Sequence, residues 1–171
     1  MKYIYLTCSL VVLALLSGQA QADSLLYEKV FNQFAELDNR MTLSVSESGE
    51  VHLHRPSFMT YPGDHHWQLD ATAVAELWAA LQPATLRELD SGLMTQALQQ
   101  LRADTEIYVS DSDTTRLQLA SGRGDTHELV VDGLQGWALT FPQQSSLQIL
   151  AATESRLVDW VNFYLTREQR S

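Results

Sequence analysis

The 171-residue chain holds one cysteine, four prolines and eight glycines, and only 11 lysines and arginines against 21 aspartates and glutamates. Each shortage excludes something. A single cysteine, Cys8, leaves no intrachain disulfide. A formal net charge of -10 would be repelled by a phosphate backbone, which argues against non-specific nucleic-acid binding. The prolines and glycines are scattered, so no linker divides the chain, and its length suits one domain rather than a (β/α)8 barrel. No G-x-S-x-G elbow occurs. Gly122-Arg123-Gly124 lacks the lysine and following helix of a phosphate loop, and Asp111-Ser112-Asp113 lacks the glycine and terminal glutamate of a calcium loop. Both read as turns.

One long apolar run is present, and it stands near the start. Lys2 precedes Leu10-Val11-Val12-Leu13-Ala14-Leu15-Leu16, Ser17-Gly18 breaks the run, and Ala20-Gln21-Ala22 forms an A-x-A site. This is the pattern of a Sec signal peptide over residues 1–22, cleaved after Ala22. The run falls short of the roughly 20 residues a membrane span needs, so no stable insertion is expected after cleavage. Cys8 precedes the run, whereas a lipid-bearing cysteine would sit at the cleavage point. The expected mature chain, residues 23–171, has 149 residues (171 less 22), no cysteine, and a charge of -11 once Lys2 is gone. Such a domain is held by its core alone, and its length allows roughly 70% of its surface to be buried. The short leader and missing cysteines point to a bacterial periplasm, with passage beyond it left open.

The remaining sequence alternates between two periods. Met41-Thr42-Leu43-Ser44-Val45 and Val51-His52-Leu53-His54 alternate as half-buried strands do. Glu47-Ser48-Gly49 suits a hairpin loop with a left-handed glycine, setting Val45 opposite Val51 and Leu43 opposite Leu53. That register puts Thr42, Ser44, His52 and His54 together on the other face. Pro62-Gly63 marks a turn, and His65-His66-Trp67-Gln68-Leu69 suits a third strand with Trp67 and Leu69 inward. Asp70 suits an N-cap for a helix carrying Val74, Leu77, Trp78 and Leu81, ended by Pro83. Thr85-Leu86-Arg87-Glu88 has the form of a capping box. A second helix is expected over Gly92 to Arg102, with Leu93, Ala97, Leu98 and Leu101 on one face. Strands are then expected at Ile107 and Val109, Leu117 and Leu119, Leu129 and Val131, and Trp137, Leu139 and Phe141. A final helix from Ser145 or Ser146 to about Arg167 buries Leu147, Leu150, Leu157, Val161 and Tyr164. Residues 24–38 fit a helix through Leu26, Val30 and Phe34, the alternative being a strand near Leu25 to Val30. The sum is a single α+β domain: a mostly antiparallel sheet of about six or seven strands with two or three helices packed on it.

Phe34-Ala35-Glu36-Leu37-Asp38-Asn39-Arg40-Met41-Thr42-Leu43, followed by Gly49-Glu50-Val51 and an amphipathic helix, resembles small bacterial domains that include emfourin-type metalloprotease inhibitors. Those domains usually carry Gly-Gly before the phenylalanine; here Asn32-Gln33 stand instead. The resemblance covers about a third of the chain, favours the strand at 24–30, and carries no inhibitory residue onto a position here.

Four of the five histidines fall within fifteen positions: His52, His54, His65 and His66. Met59 lies between the two pairs and Asp64 precedes the second. Imidazole suits Zn and Cu, and thioether suits Cu(I). The cluster reads either as surface histidines on a half-exposed hairpin or as a Cu or Zn site. His65 and His66, being adjacent, leave a strand on opposite faces. His127 is where a small hydrolase would place its base, though no spacing selects a triad. Trp67, Trp78, Trp137 and Trp160 read first as core. Trp160, beside Val161 at the edge of its helix stripe, is the candidate for partner contact. With no catalytic or cofactor motif, the leading expectation is a non-catalytic exported protein that binds another exported protein, as an accessory factor or inhibitor.

Overall fold

A computed structural model describes residues 23–34, 38–105, 112–122 and 124–168. The expected signal peptide and the expected strand at Ile107 and Val109 lie outside them. The described chain runs β1 (Asp23–Val30), β2 (Arg40–Val45), β3 (Glu50–Arg55), β4 (Gly63–Gln68), α1 (Ala71–Leu81), α2 (Pro83–Arg87), α3 (Ser91–Thr105), β5 (Thr114–Ser121), β6 (Thr126–Asp132), α4 (Leu134–Thr140) and α5 (Ser145–Glu168). The six strands form one sheet in the order β4-β3-β2-β1-β5-β6, with every pairing antiparallel. This is the α+β architecture expected, with more helices than two or three.

Period-2 alternation decides the two faces. Leu25 and Tyr27, Met41, Leu43 and Val45, Val51 and Leu53, Leu117 and Leu119, and Leu129 and Val131 point to one side and are buried. The helices contribute Leu77 and Leu81, Met94 and Leu98, Leu134 and Trp137, and Leu147, Leu150, Leu157, Val161 and Leu165 to the same core. The opposite side of the sheet holds the polar set Thr42, Ser44, His52 and His54.

The first hairpin has the expected register, Val45 opposite Val51 and Leu43 opposite Leu53. Gly49 takes φ +84°, and a Cβ there would stand 2.8 Å from Val74 Cγ2 and 2.9 Å from Leu69 O. The turn is therefore pressed against the end of β4 and the start of α1. Asp70 caps α1, its side chain accepting from the Ala73 N–H at 2.8 Å.

Four local expectations are corrected. Residues 24–30 form a strand and not a helix. β1 lies between β2 and β5, so even its outward Leu26 and Val30 are half-covered, and apolar residues on both faces mimic a helical stripe. Trp137, Leu139 and Phe141 lie on or beside helix α4. The spacing of Leu134, Trp137, Ala138 and Phe141 is helical, all four are buried, and Leu139 is 82% exposed. Leu93 points outward, 66% exposed. Asp90 accepts from the Leu93 N–H at 2.9 Å, and the phase so set turns Met94 and Leu98 inward. Thr85 lies inside α2 and Glu88 at its C-terminal end, so the capping-box pattern caps no helix start.

Candidate functional site

The register between β3 and β4 decides where the histidines go. It pairs His52 with His66, Leu53 with His65, and His54 with Asp64. His52, His54, Asp64 and His66 therefore share the outer face, while His65 belongs to the inner face and its Nε2 lies 3.1 Å from Tyr61 O. Met59 is partly buried against the hydrophobic core. The five candidate ligands are not brought to one point. Among the described residues, no group of three or more histidine, cysteine, aspartate or glutamate side chains is placed to hold a metal ion.

Two different arrangements arise on that face. His54 is held at both nitrogens: Nδ1 lies 2.6 Å from Asp64 Oδ1 and Nε2 lies 2.9 Å from Asp38 Oδ1. The hydrogen bonds to Asp38 and then Asp64 hold the His54 imidazole above its ordinary pKa. The bond to His54, followed by the Ser57 N–H at 2.8 Å, holds the Asp38 carboxyl below its ordinary range. His54 so clamps the end of the β1–β2 connection to the start of β4. His52 and His66 face each other instead, Nδ1 to Nδ1 at 2.7 Å, with ring centroids 4.5 Å apart and planes at 85°. Glu50 Oε1 stands 3.0 Å from His52 Nε2, on the side away from His66.

A second site lies where β4 meets α1 and α5. Trp67 stacks on Tyr164 with centroids 5.8 Å apart, and Trp160 lies 6.0 Å from Trp67 and 4.7 Å from Tyr164. Trp67 and Tyr164, with Leu69, Asp70, Ala73 and Arg167, line a cleft of about 370 Å³. The Trp67 Nε1 donor has no hydrogen-bond partner among the described residues. Trp160, the candidate contact residue, thus belongs to an aromatic trio rather than standing alone. Tyr164, four residues on in α5, follows from helix phase, whereas Trp67 does not, because it comes from β4.

The cleft adjoins the outer edge of β4, which pairs with no other strand among the described residues. The Leu69 N–H donates to Gly49 O, and antiparallel ladder bonds alternate. Asp64, His66 and Gln68 therefore turn their backbone N–H and C=O away from β3. The opposite edge, on β6, is engaged: the Ser91 hydroxyl donates to Glu128 O and accepts from the Val130 N–H.

A polar network centred on Glu154 lies in the interior. Glu154, 3% exposed, accepts from Tyr27 Oη at 2.9 Å, Thr115 Oγ1 at 2.8 Å and Lys29 Nζ at 3.2 Å, and from Gln135 Nε2 at 2.6 Å. Burial alone would raise its pKa; Lys29 and the three neutral donors outweigh burial and hold the carboxyl below its ordinary value. Burial, then the Glu154 charge, pushes the Tyr27 hydroxyl well above its ordinary value. These groups tie β1, β5, α4 and α5 together. His127 Nε2 is buried with no partner among the described residues, so no serine hydroxyl is hydrogen-bonded to it there. Compared with known protein families and curated proteins, the chain matches no family model and no curated protein.

Proposed function

We propose that this is a non-catalytic exported protein that works by binding another exported protein, as an accessory factor or inhibitor, and that it does so along the β4 edge. The observation that carries this reading is the adjacency of an aromatic cleft and a strand edge that is unpaired among the described residues. An extended segment of the partner would add to Asp64, His66 and Gln68 through main-chain hydrogen bonds and place a side chain against Trp67 and Tyr164. This is how strand addition divides its labour, with backbone bonds giving affinity and a pocket giving choice of partner. The likeness to emfourin-type domains over the first hairpin supports an inhibitory or accessory role.

The test is a crosslinked capture from periplasmic extract, comparing the protein with Trp160→Ala and Ala73→Arg. The first removes one wall of the aromatic trio. The second fills the cleft, and leaves the Asp70 cap in place because that bond uses the Ala73 backbone. Both variants should lose the captured partner. Recovery of the same partner by all three proteins, or of nothing above control by the unsubstituted protein, removes this reading.

A further inference from the structure

The facing histidines His52 and His66 invite a different chemistry, independent of any protein partner. They are directly opposed across β3 and β4. Because β3 and β4 bond through the Leu69–Gly49 set of positions, His52 and His66 form a non-hydrogen-bonded pair. At such pairs the Cα atoms approach to about 4.5 Å and side chains on one face come closest. Both rings open to solvent on the outer face.

The position of Glu50 matters to what the pair can do. It precedes His52 by two residues, so it shares the outer face, and its carboxylate lies 3.0 Å from His52 Nε2. A carboxylate there favours the proton on Nε2 and leaves the His52 Nδ1 lone pair to accept from the His66 Nδ1–H at 2.7 Å, the proton that a metal would displace. A carboxylate behind a metal-binding imidazole fixes the tautomer in this way and raises ligand basicity. His54 contrasts with this, since aspartates occupy both of its nitrogens. We propose that His52 and His66 form a two-histidine copper(II) site, with Glu50 orienting His52 and water completing the coordination.

A pair of imidazoles suits copper(II) and zinc(II) alike. The observed Nδ1–Nδ1 distance is 2.7 Å. That distance is a hydrogen bond between the rings; metal binding replaces it, releases the His66 Nδ1 proton to water, and turns both solvent-exposed rings so that their lone pairs face one ion. Cu(II) binds nitrogen sites more tightly than Zn(II) in general, so copper(II) is the ion expected there.

Purified, tag-free protein is titrated with copper(II) alone and with zinc(II) alone, and affinity is read by calorimetry. The copper form is examined by low-temperature electron paramagnetic resonance. One copper(II) per chain is expected, with nitrogen coupling from two imidazoles and weaker zinc binding. His52→Ala and His66→Ala should each lower copper affinity at least about tenfold, and Glu50→Gln about tenfold. His54→Ala should leave it unchanged. All four positions are on the open face, and circular dichroism verifies each fold. Should a variant fail to fold, copper-induced broadening of the His52 and His66 ring protons in the unsubstituted protein gives the same answer. Equal affinity in the His52→Ala or His66→Ala protein, coupling from a single nitrogen, or broadening centred on other histidines overturns the site.

Discussion

Lys29 Nζ on the central strand reaches Glu154 Oε1 on the long helix at 3.2 Å, where the helix side chain is 3% exposed. The two residues lie 125 positions apart, and together with Tyr27, Thr115 and Gln135 they join four elements through one carboxylate. Removing the carboxylate leaves Lys29 with Asp113 at 3.7 Å as its remaining ion-pair partner and strands three neutral donors. Glu154→Ala should therefore destabilise by about 3–5 kcal/mol, the cost of breaking a buried pair from one side. Equilibrium urea unfolding measures it; a loss under about 1 kcal/mol would show that water repairs the network.

The same network sets two pH limits of opposite sign. Glu154 has a lowered pKa in the folded protein, so its contribution is complete above the ordinary carboxylate value of about 4.3 and is lost as pH falls through the lower, folded value. The stability gap between the protein and Glu154→Gln should be widest near neutrality and shrink below about pH 4.3. Tyr27 has a raised pKa, so its contribution is complete below the ordinary phenol value of about 10 and declines as pH rises beyond it. The gap to Tyr27→Phe should close on the alkaline side. A gap that stayed constant from pH 3 to 7 in the first case, or from 9 to 11 in the second, would contradict the assignment.

Much of this fold was legible because alternation reports faces directly. The register of the first hairpin follows from Val45, Gly49 and Val51, since a one-residue slip would turn Leu43 and Leu53 to the solvent. Legibility failed where two periods overlap. Around Leu26 and Val30 a central strand is apolar on both faces, and around Trp137 and Phe141 an even spacing coincides with part of a helical one. The histidines show the same boundary. Their placement on β3 was readable, and inward Trp67 and Leu69 already set His65 inward and His66 outward, but the residue that His66 meets depends on the β4 register across a seven-residue loop, which alternation alone does not determine. The bond of Leu69 to Gly49 and the pairing of Leu53 with His65 decide it. Glu154 left no signal at all, because one glutamate on a long helix resembles any solvated one until the tertiary contacts form.

Helix α4 offers a direct contrast. Trp137 is fully buried, stacked on Phe141 with centroids 5.7 Å apart, and covered by the Arg102 guanidinium at 4.8 Å. Trp137→Ala should cost about 3–5 kcal/mol. Leu139, two residues on, is 82% exposed, and Leu139→Glu should change stability by less than about 0.5 kcal/mol. Thermal unfolding of the two variants checks the phase: a strand would bury both side chains and penalise both substitutions.

Gly49 joins the hairpin to everything that follows it. Its φ of +84° already disfavours any other residue, and the added Cβ would meet the Leu69 carbonyl at 2.9 Å, a backbone atom that cannot rotate away. The Leu69 N–H in turn donates to Gly49 O, so displacing the turn also loosens the end of β4 where it borders the aromatic cleft. Gly49→Ala should therefore destabilise by more than the ~1 kcal/mol of an unfavourable backbone conformation alone. It should also raise hydrogen exchange at Leu69 and at the first turn of α1, while leaving β5 and β6 unchanged. Uniform exchange across the sheet would mean instead that the hairpin and the rest open together, and that Gly49 does not act on the cleft locally.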